Sequence, residues 1–283
     1  MSQASNNRMP TLYIPHGGGP CFFMDVPPGM PADMWDRMEE HLRNIGRSLE
    51  PRPKAALVIS AHWEAPHPTL NTARQPSLLF DYYGFPEHTY HLSYPVSGSP
   101  ELAARVRELL AEAGIESGSN EQRGLDHGVF VPFKVIYPNA DIPIVEMSLR
   151  HGLDPAEHLA IGRTLAPLRD EGVLIVGSGM SFHNLRTLLA GDGRDDDTAE
   201  AFDAWLDDAV TAPDAQTRNK LLAAWSEAPG ARASHPREEH LLPLMVAAGA
   251  AGEDRGRRSY SEKLLGKALS GFQFGSLSGF QFG

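Results

Sequence analysis

Four short apolar runs punctuate the chain: Thr11–Pro15, Ala55–Ser60, Ile142–Leu149 and Gly172–Gly177. The second, AALVIS, is β-branched and unbroken by polar residues, which predicts a strand buried on both faces. Between the runs the period changes. Ser99-Pro100-Glu101 reads as an N-cap with proline at the first helical position, and Leu102, Val106, Leu109 and Leu110 repeat at helical spacing until Gly114. Asp154-Pro155 opens a second helix through Leu159, Ile161, Leu165 and Leu168. A polar acidic loop follows at 191–198, and residues 199–226 and 237–248 are predicted helical. Alternating strands and helices define an α/β chain whose central, mostly parallel or mixed sheet is flanked by helices. With no linker to divide it, 1–283 is expected to form a single domain. Its first ten residues or so are expected to be peripheral. So is LSGFQFG, which occurs at 269–275 and again at 277–283; its alternation suits a strand.

Composition narrows the function classes. A net charge of -11 argues against nucleic acid or an anionic membrane surface as partner. Cys21 is the one cysteine, so an intramolecular disulfide and a thiolate metal cluster are both excluded. The first residues lack the basic and apolar regions of a signal peptide, and no apolar run approaches the roughly 18 residues of a membrane span. A cytoplasmic protein is expected.

The twelve histidines carry the chemistry. His16, His62 and His183 each follow an apolar run of strand character. Ligands of open α/β sheets bind beyond the carboxyl ends of strands, so these three are expected to converge on one divalent metal. A single histidine there would more often be structural; three at one edge favour ligands. Gly17, Gly18 and Gly19 let the backbone turn tightly beside His16, and a phosphate loop is disfavoured because the GxxxxGK[ST] pattern is absent. Trp63 either floors an aromatic pocket or belongs to the core. His127, in the polar turn Asp126-His127-Gly128, is either a proton donor or a turn residue. His240 is expected to begin a helix entered through Pro236, with Glu239 competing as a carboxylate ligand. Helical neighbours point about 100° apart, so both cannot easily reach one ion. His41, His67, His151 and His158 read as solvated.

Seven segments occur together in one order: PHGGGP (15–20), SAHW (60–63), YGFPEHTYHLSYPVSGSP (83–100), GLDHGVFVPF (124–133), YPNADIPIVEMSL (137–149), FHNLR (182–186) and EEHLLPL (238–244). The chain thereby resembles the class III extradiol ring-cleaving dioxygenases, in their single-chain DOPA 4,5-dioxygenase branch, over roughly residues 10–250. The resemblance implies that His16, His62 and His240 hold the metal. It makes His183 a fourth ligand or an acid–base residue, and His127 a second acid–base group. It also implies a DOPA-like or other substituted catechol and dioxygen as substrates, with a muconic semialdehyde as product. Phe182, Trp63 and Phe130 would wall the ring, and Arg186 would meet a substrate carboxylate. His240 stands where protocatechuate-cleaving relatives carry glutamate, so Zn(II) competes with the favoured Fe(II). Alternatives are a zinc hydrolase, although HExxH is absent, and a non-catalytic binding relative. A homodimer is expected on general grounds.

Overall fold

The computed structural model describes residues 8–190 and 193–276. The second LSGFQFG copy and part of the acidic loop lie outside the described residues. The strands are β1 (Thr11–Pro15), β2 (Ala55–Ala65), β3 (Thr69–Asn71), β4 (Gly118–Asn120), β5 (Ile144–Arg150), β6 (Val173–Gly179), β7 (Gly256–Leu264) and β8 (Lys267–Phe274). The helices are α1 (Asp36–Ser48), α2 (Pro100–Glu112), α3 (His127–Ile136), α4 (Pro155–Leu165), α5 (Leu185–Leu188), α6 (Asp196–Val210), α7 (Ala215–Ala223), α8 (Ala231–Ser234) and α9 (Leu242–Ala251).

All eight strands form one mixed sheet in the order β4-β3-β5-β2-β6-β1-β8-β7. Its centre, β5-β2-β6-β1, is parallel. On either side β3 and β8 run antiparallel to their inner neighbours. Successive side chains of a strand face opposite ways. Leu57 and Ile59 of β2 accordingly enter a core built with α2, α4, α6 and α9, whereas Ala56 and Val58 enter a second core with α1 and α3. Covering both faces explains why AALVI, up to Ser60, is apolar throughout. Every residue of α9 is buried, so that helix has no polar stripe at all.

Local caps set the helix starts. Ser99 Oγ accepts the Leu102 amide at 3.1 Å, and Asp154 Oδ1 accepts those of Ala156 at 2.7 Å and Glu157 at 3.0 Å. Several expectations are corrected. The stretch 199–226 is not one helix, because Pro213 interrupts it and Asp214 caps a new one by accepting the Thr217 amide at 2.8 Å. The last helix starts at Leu242, not near 237: Pro243 lacks an N–H and belongs in a first turn. His240 therefore sits in the turn before α9. β2 does not end at Ser60 but continues to Ala65, so His62 lies within the strand. His41 and His158 are buried rather than solvated. The His158 ring is satisfied on both sides, donating to the Asp154 carbonyl at 2.7 Å and accepting the Arg150 amide at 3.1 Å.

Candidate metal centre

The parallel ladders open at one edge. The β2–β6 register ends at Ser60↔Ser178 and the β1–β6 register at Pro15↔Gly179. Beyond these pairs lies a cavity of about 660 Å³ whose lining includes His16, His62, His127, His183 and His240. The rings of His16, His62 and His240 form a triangle, with centroids 4.9, 4.8 and 5.2 Å apart. His127 lies 4.0 Å from His62, and His183 stacks on His240 at 3.3 Å. The coordinating atoms fall into two compact sets, His16/His62/His127 and His183/Glu239/His240, each within 4.8 Å. The short ring separations from His240 to His16 and His62 join the two sets into one site.

Partners on the far nitrogens fix how each ring faces. Ser178 donates its hydroxyl to the Gly128 carbonyl, so its oxygen accepts His16 Nδ1–H at 3.0 Å, leaving the His16 Nε2 lone pair inward. Glu239 Oε1 receives His240 Nδ1 at 3.0 Å and lies 3.2 Å from His183 Nδ1. Burial alone would raise the Glu239 pKa, but the bonds from His183 and His240 outweigh it and hold the carboxyl well below its usual range. Asp81 plays the corresponding part for His127, whose Nδ1 and backbone amide reach Asp81 Oδ1 at 2.8 and 2.9 Å. The expected rivalry between Glu239 and His240 for one ion is thus replaced by cooperation: off the helix, the carboxylate can orient the neighbouring ring.

The backbone around His62 is held from beneath. Ser60 Oγ accepts the His62 amide at 3.1 Å and donates to Asp126 Oδ1 at 2.7 Å. Arg123 contacts Asp126 Oδ2 at 2.9 Å and the His62 carbonyl at 3.3 Å, and its guanidinium lies 4.8 Å from the centre of the Trp63 ring. Glu146, fully buried beside the Asp126 carboxylate, has its pKa pushed up by burial first and by that charge second. Gly179 brings the last ring in: a Cβ there would stand 2.1 Å from the His240 carbonyl.

The donor set fits a divalent ion. Burial pulls His16 and His240 well below the ordinary imidazole pKa, and His62 down to about 4, so all three rings are neutral near pH 7, the form in which an imidazole can hold a metal. His16 Nε2 and His62 Nε2 are 3.2 Å apart, close to the edge expected between two nitrogens bound tetrahedrally at about 2.0–2.1 Å. Of the remaining sequence candidates, Phe182 lines the cavity, but Trp63, Phe130 and Arg186 do not. Trp63 lies under Arg123 instead. Phe130 is fully buried behind the site, 5.6 Å from Phe80. Arg186 is exposed because Leu185, Leu188 and Leu189 take the cavity face of α5 and its C-cap. Sequence reading missed Asp81, Ser178 and Ser60, whose partners are distant in the chain.

Fold and site together define an α/β protein with a buried histidine cluster at a sheet edge that fits a divalent ion. Residues 10–273 match the family of the catalytic LigB subunit of aromatic ring-opening dioxygenase, and the chain belongs to that family as an extradiol dioxygenase. It is 45% identical over 254 residues to the 4,5-DOPA dioxygenase extradiol of Beta vulgaris, covering 89% of this chain and 90% of that one. It is 37% identical over 278 residues to the dioxygenase tasH of Hapsidospora irregularis, covering 94% and 85%. The crystal structure of the uncharacterized protein JW3007 from Escherichia coli K12 superposes with a TM-score of 0.73 at 30% identity, covering 95% of this chain and all of the other. No helix among the described residues is long and apolar enough to cross a membrane.

Proposed function

We propose that this enzyme opens the ring of a substituted catechol with dioxygen at one Fe(II) held by His16, His62 and His240. The observation that carries the assignment is the triangle of three neutral rings, with the His16 and His62 Nε2 atoms at ligand-edge spacing. The names of the relatives support a catechol substrate. Iron is chosen over zinc because dioxygen chemistry needs a redox-active ion and zinc is not one. When bound, such an ion supplies Lewis-acid lowering of the catechol hydroxyl pKa and a route for electrons from ring to dioxygen.

The protein's own groups do the rest. His183, its Nδ1 committed to Glu239, takes a catechol proton at Nε2. His127, its Nδ1 committed to Asp81, lines the pocket and would return a proton from Nε2 to an oxygen of the opening ring. Phe182 and Met180 exclude water from the ring. Both oxygen atoms enter the product, a muconic semialdehyde. Metal-free protein reloaded anaerobically with Fe(II) should consume one dioxygen per catechol and produce a yellow, ring-opened compound, whereas Zn(II) protein should not. Absence of uptake across a catechol panel, with iron fully bound, would sink the proposal.

A further inference from the structure

The cavity is larger and greasier than catechol chemistry requires. Its 660 Å³ lies in the range of pockets for drug-sized molecules, far beyond a single ring. Besides the histidines, its wall includes Met30, Met34, Leu188 and Leu264. Among the described residues three large apolar side chains stand exposed, Tyr83 at 90%, Leu185 at 51% and Leu189 at 64%, and all three belong to this cavity's lining. Exposed apolar side chains that all fall in one cavity's lining mark a binding surface, whereas scattered exposed leucines would mean nothing.

The charges tell the same story. Besides the histidines, the charged lining residues are Glu64, Arg237 and Glu239. Arg237 closes on Glu64 through two bonds of 2.6 and 2.7 Å and approaches Glu239 at 3.4 Å. Glu239 in turn serves His183 and His240. Among the described residues the lining therefore has no uncommitted lysine or arginine for a substrate carboxylate, and binding one at Arg237 would break a bidentate pair.

Resting on the proposed catechol cleavage, we infer that the substrate is a catechol bearing a bulky apolar substituent, lodged among the methionines and leucines of this lining and the exposed Tyr83, Leu185 and Leu189, and not one bearing an amino-acid head. The flexible thioethers of Met30 and Met34 suit a substituent of variable shape.

The test is a series of 4-methyl-, 4-butyl- and 4-hexylcatechol beside DOPA, run on Fe(II)-loaded protein. Kd is read anaerobically by calorimetry and turnover by oxygen uptake. Full burial gives up to about fourfold in affinity per methylene, so butyl, with three more methylenes, should bind up to about 60-fold tighter than methyl, and DOPA at least tenfold weaker than butyl. Leu189→Asp, at an exposed position that does not threaten folding, should cut the hexyl-over-methyl preference about tenfold. A flat Kd series, DOPA as the tightest ligand, or an unchanged preference in Leu189→Asp overturns the inference. So does an Arg237→Gln variant that selectively loses DOPA. A rising affinity series without any ring opening would instead remove the proposed reaction and leave the pocket assignment standing.

Discussion

Because Glu239 accepts from both His183 and His240, one carboxylate sets the tautomer of two rings; Asp81 does the same for His127, while its other oxygen stands 3.9 Å from His62 Nδ1, beyond hydrogen-bond reach. These two carboxylates give a way to separate ligand from proton carrier. Groups that orient a metal-bound imidazole typically contribute 10- to 100-fold to metal affinity. Glu239→Gln should lose affinity in that range. Asp81→Asn should keep its metal and lose about a hundredfold in kcat, the usual contribution of a positioned acid or base. Equal metal loss in both variants, measured by competition with a chelator, would make His127 a ligand and reassign the triangle. At this scale the sequence was only partly legible. His16 and His183 announce themselves by following apolar runs, but Asp81 and Ser178 matter only through partners 46 and 162 positions away. Nothing local distinguishes them from other polar residues.

Elements bring those residues together, and the closest approach is between β6 and the turn before α9. A methyl group on Gly179 would meet the His240 carbonyl at 2.1 Å, which neither backbone can absorb without moving. Gly179→Ala should therefore displace His240, weaken metal binding at least tenfold and destabilise the fold by about 1–3 kcal/mol, as overpacking usually does. Wild-type metal affinity in a folded Gly179→Ala variant would show that the turn yields freely. Element boundaries were legible wherever a local signal sets them. Thr11–Pro15 and the start at Pro100 are found as read, because double-sided burial and a serine cap act on adjacent residues. β2 was read short for a physical reason. Past Ser60 its residues leave the two cores for the cavity, and the onset of polarity at His62 and Glu64 looks like a strand end. The interruption at Pro213 and the late start before Pro243 were written in the prolines themselves, but the longer apolar periodicity concealed them.

At the scale of the whole molecule, acid stability follows in part from two buried histidines that do not line the cavity. Burial holds His41 and His235 neutral by pulling each pKa from 6.5 to about 4. Between those limits the unfolded chain binds protons that the folded chain refuses. Stability is thus fully present above about pH 6.5 and falls as pH drops towards 4, by about 1.4 kcal/mol per unit for each ring. His41, against the Tyr260 ring at 5.1 Å and with no partner for its Nε2, is the cleaner of the two to replace. In His41→Leu the loss of unfolding free energy between pH 7 and 4.5 should shrink by about 2–3 kcal/mol in urea titrations; an unchanged loss would place the proton uptake elsewhere.

The place of β1 in the sheet has a consequence for how the chain is made. Its two neighbours are β6 and β8. His16 meets Ser178 across 162 positions, and Thr11 donates to the Ala247 carbonyl across 236. The strand carrying the first histidine thus emerges early from the ribosome with no partner yet synthesised, and closing so long a loop delays its pairing. Until β6 is made, the nascent protein holds an unpaired apolar strand. Under the proposed ligand set, which is complete only once the chain has grown past His240, metal capture would be a late event rather than a nucleus for folding.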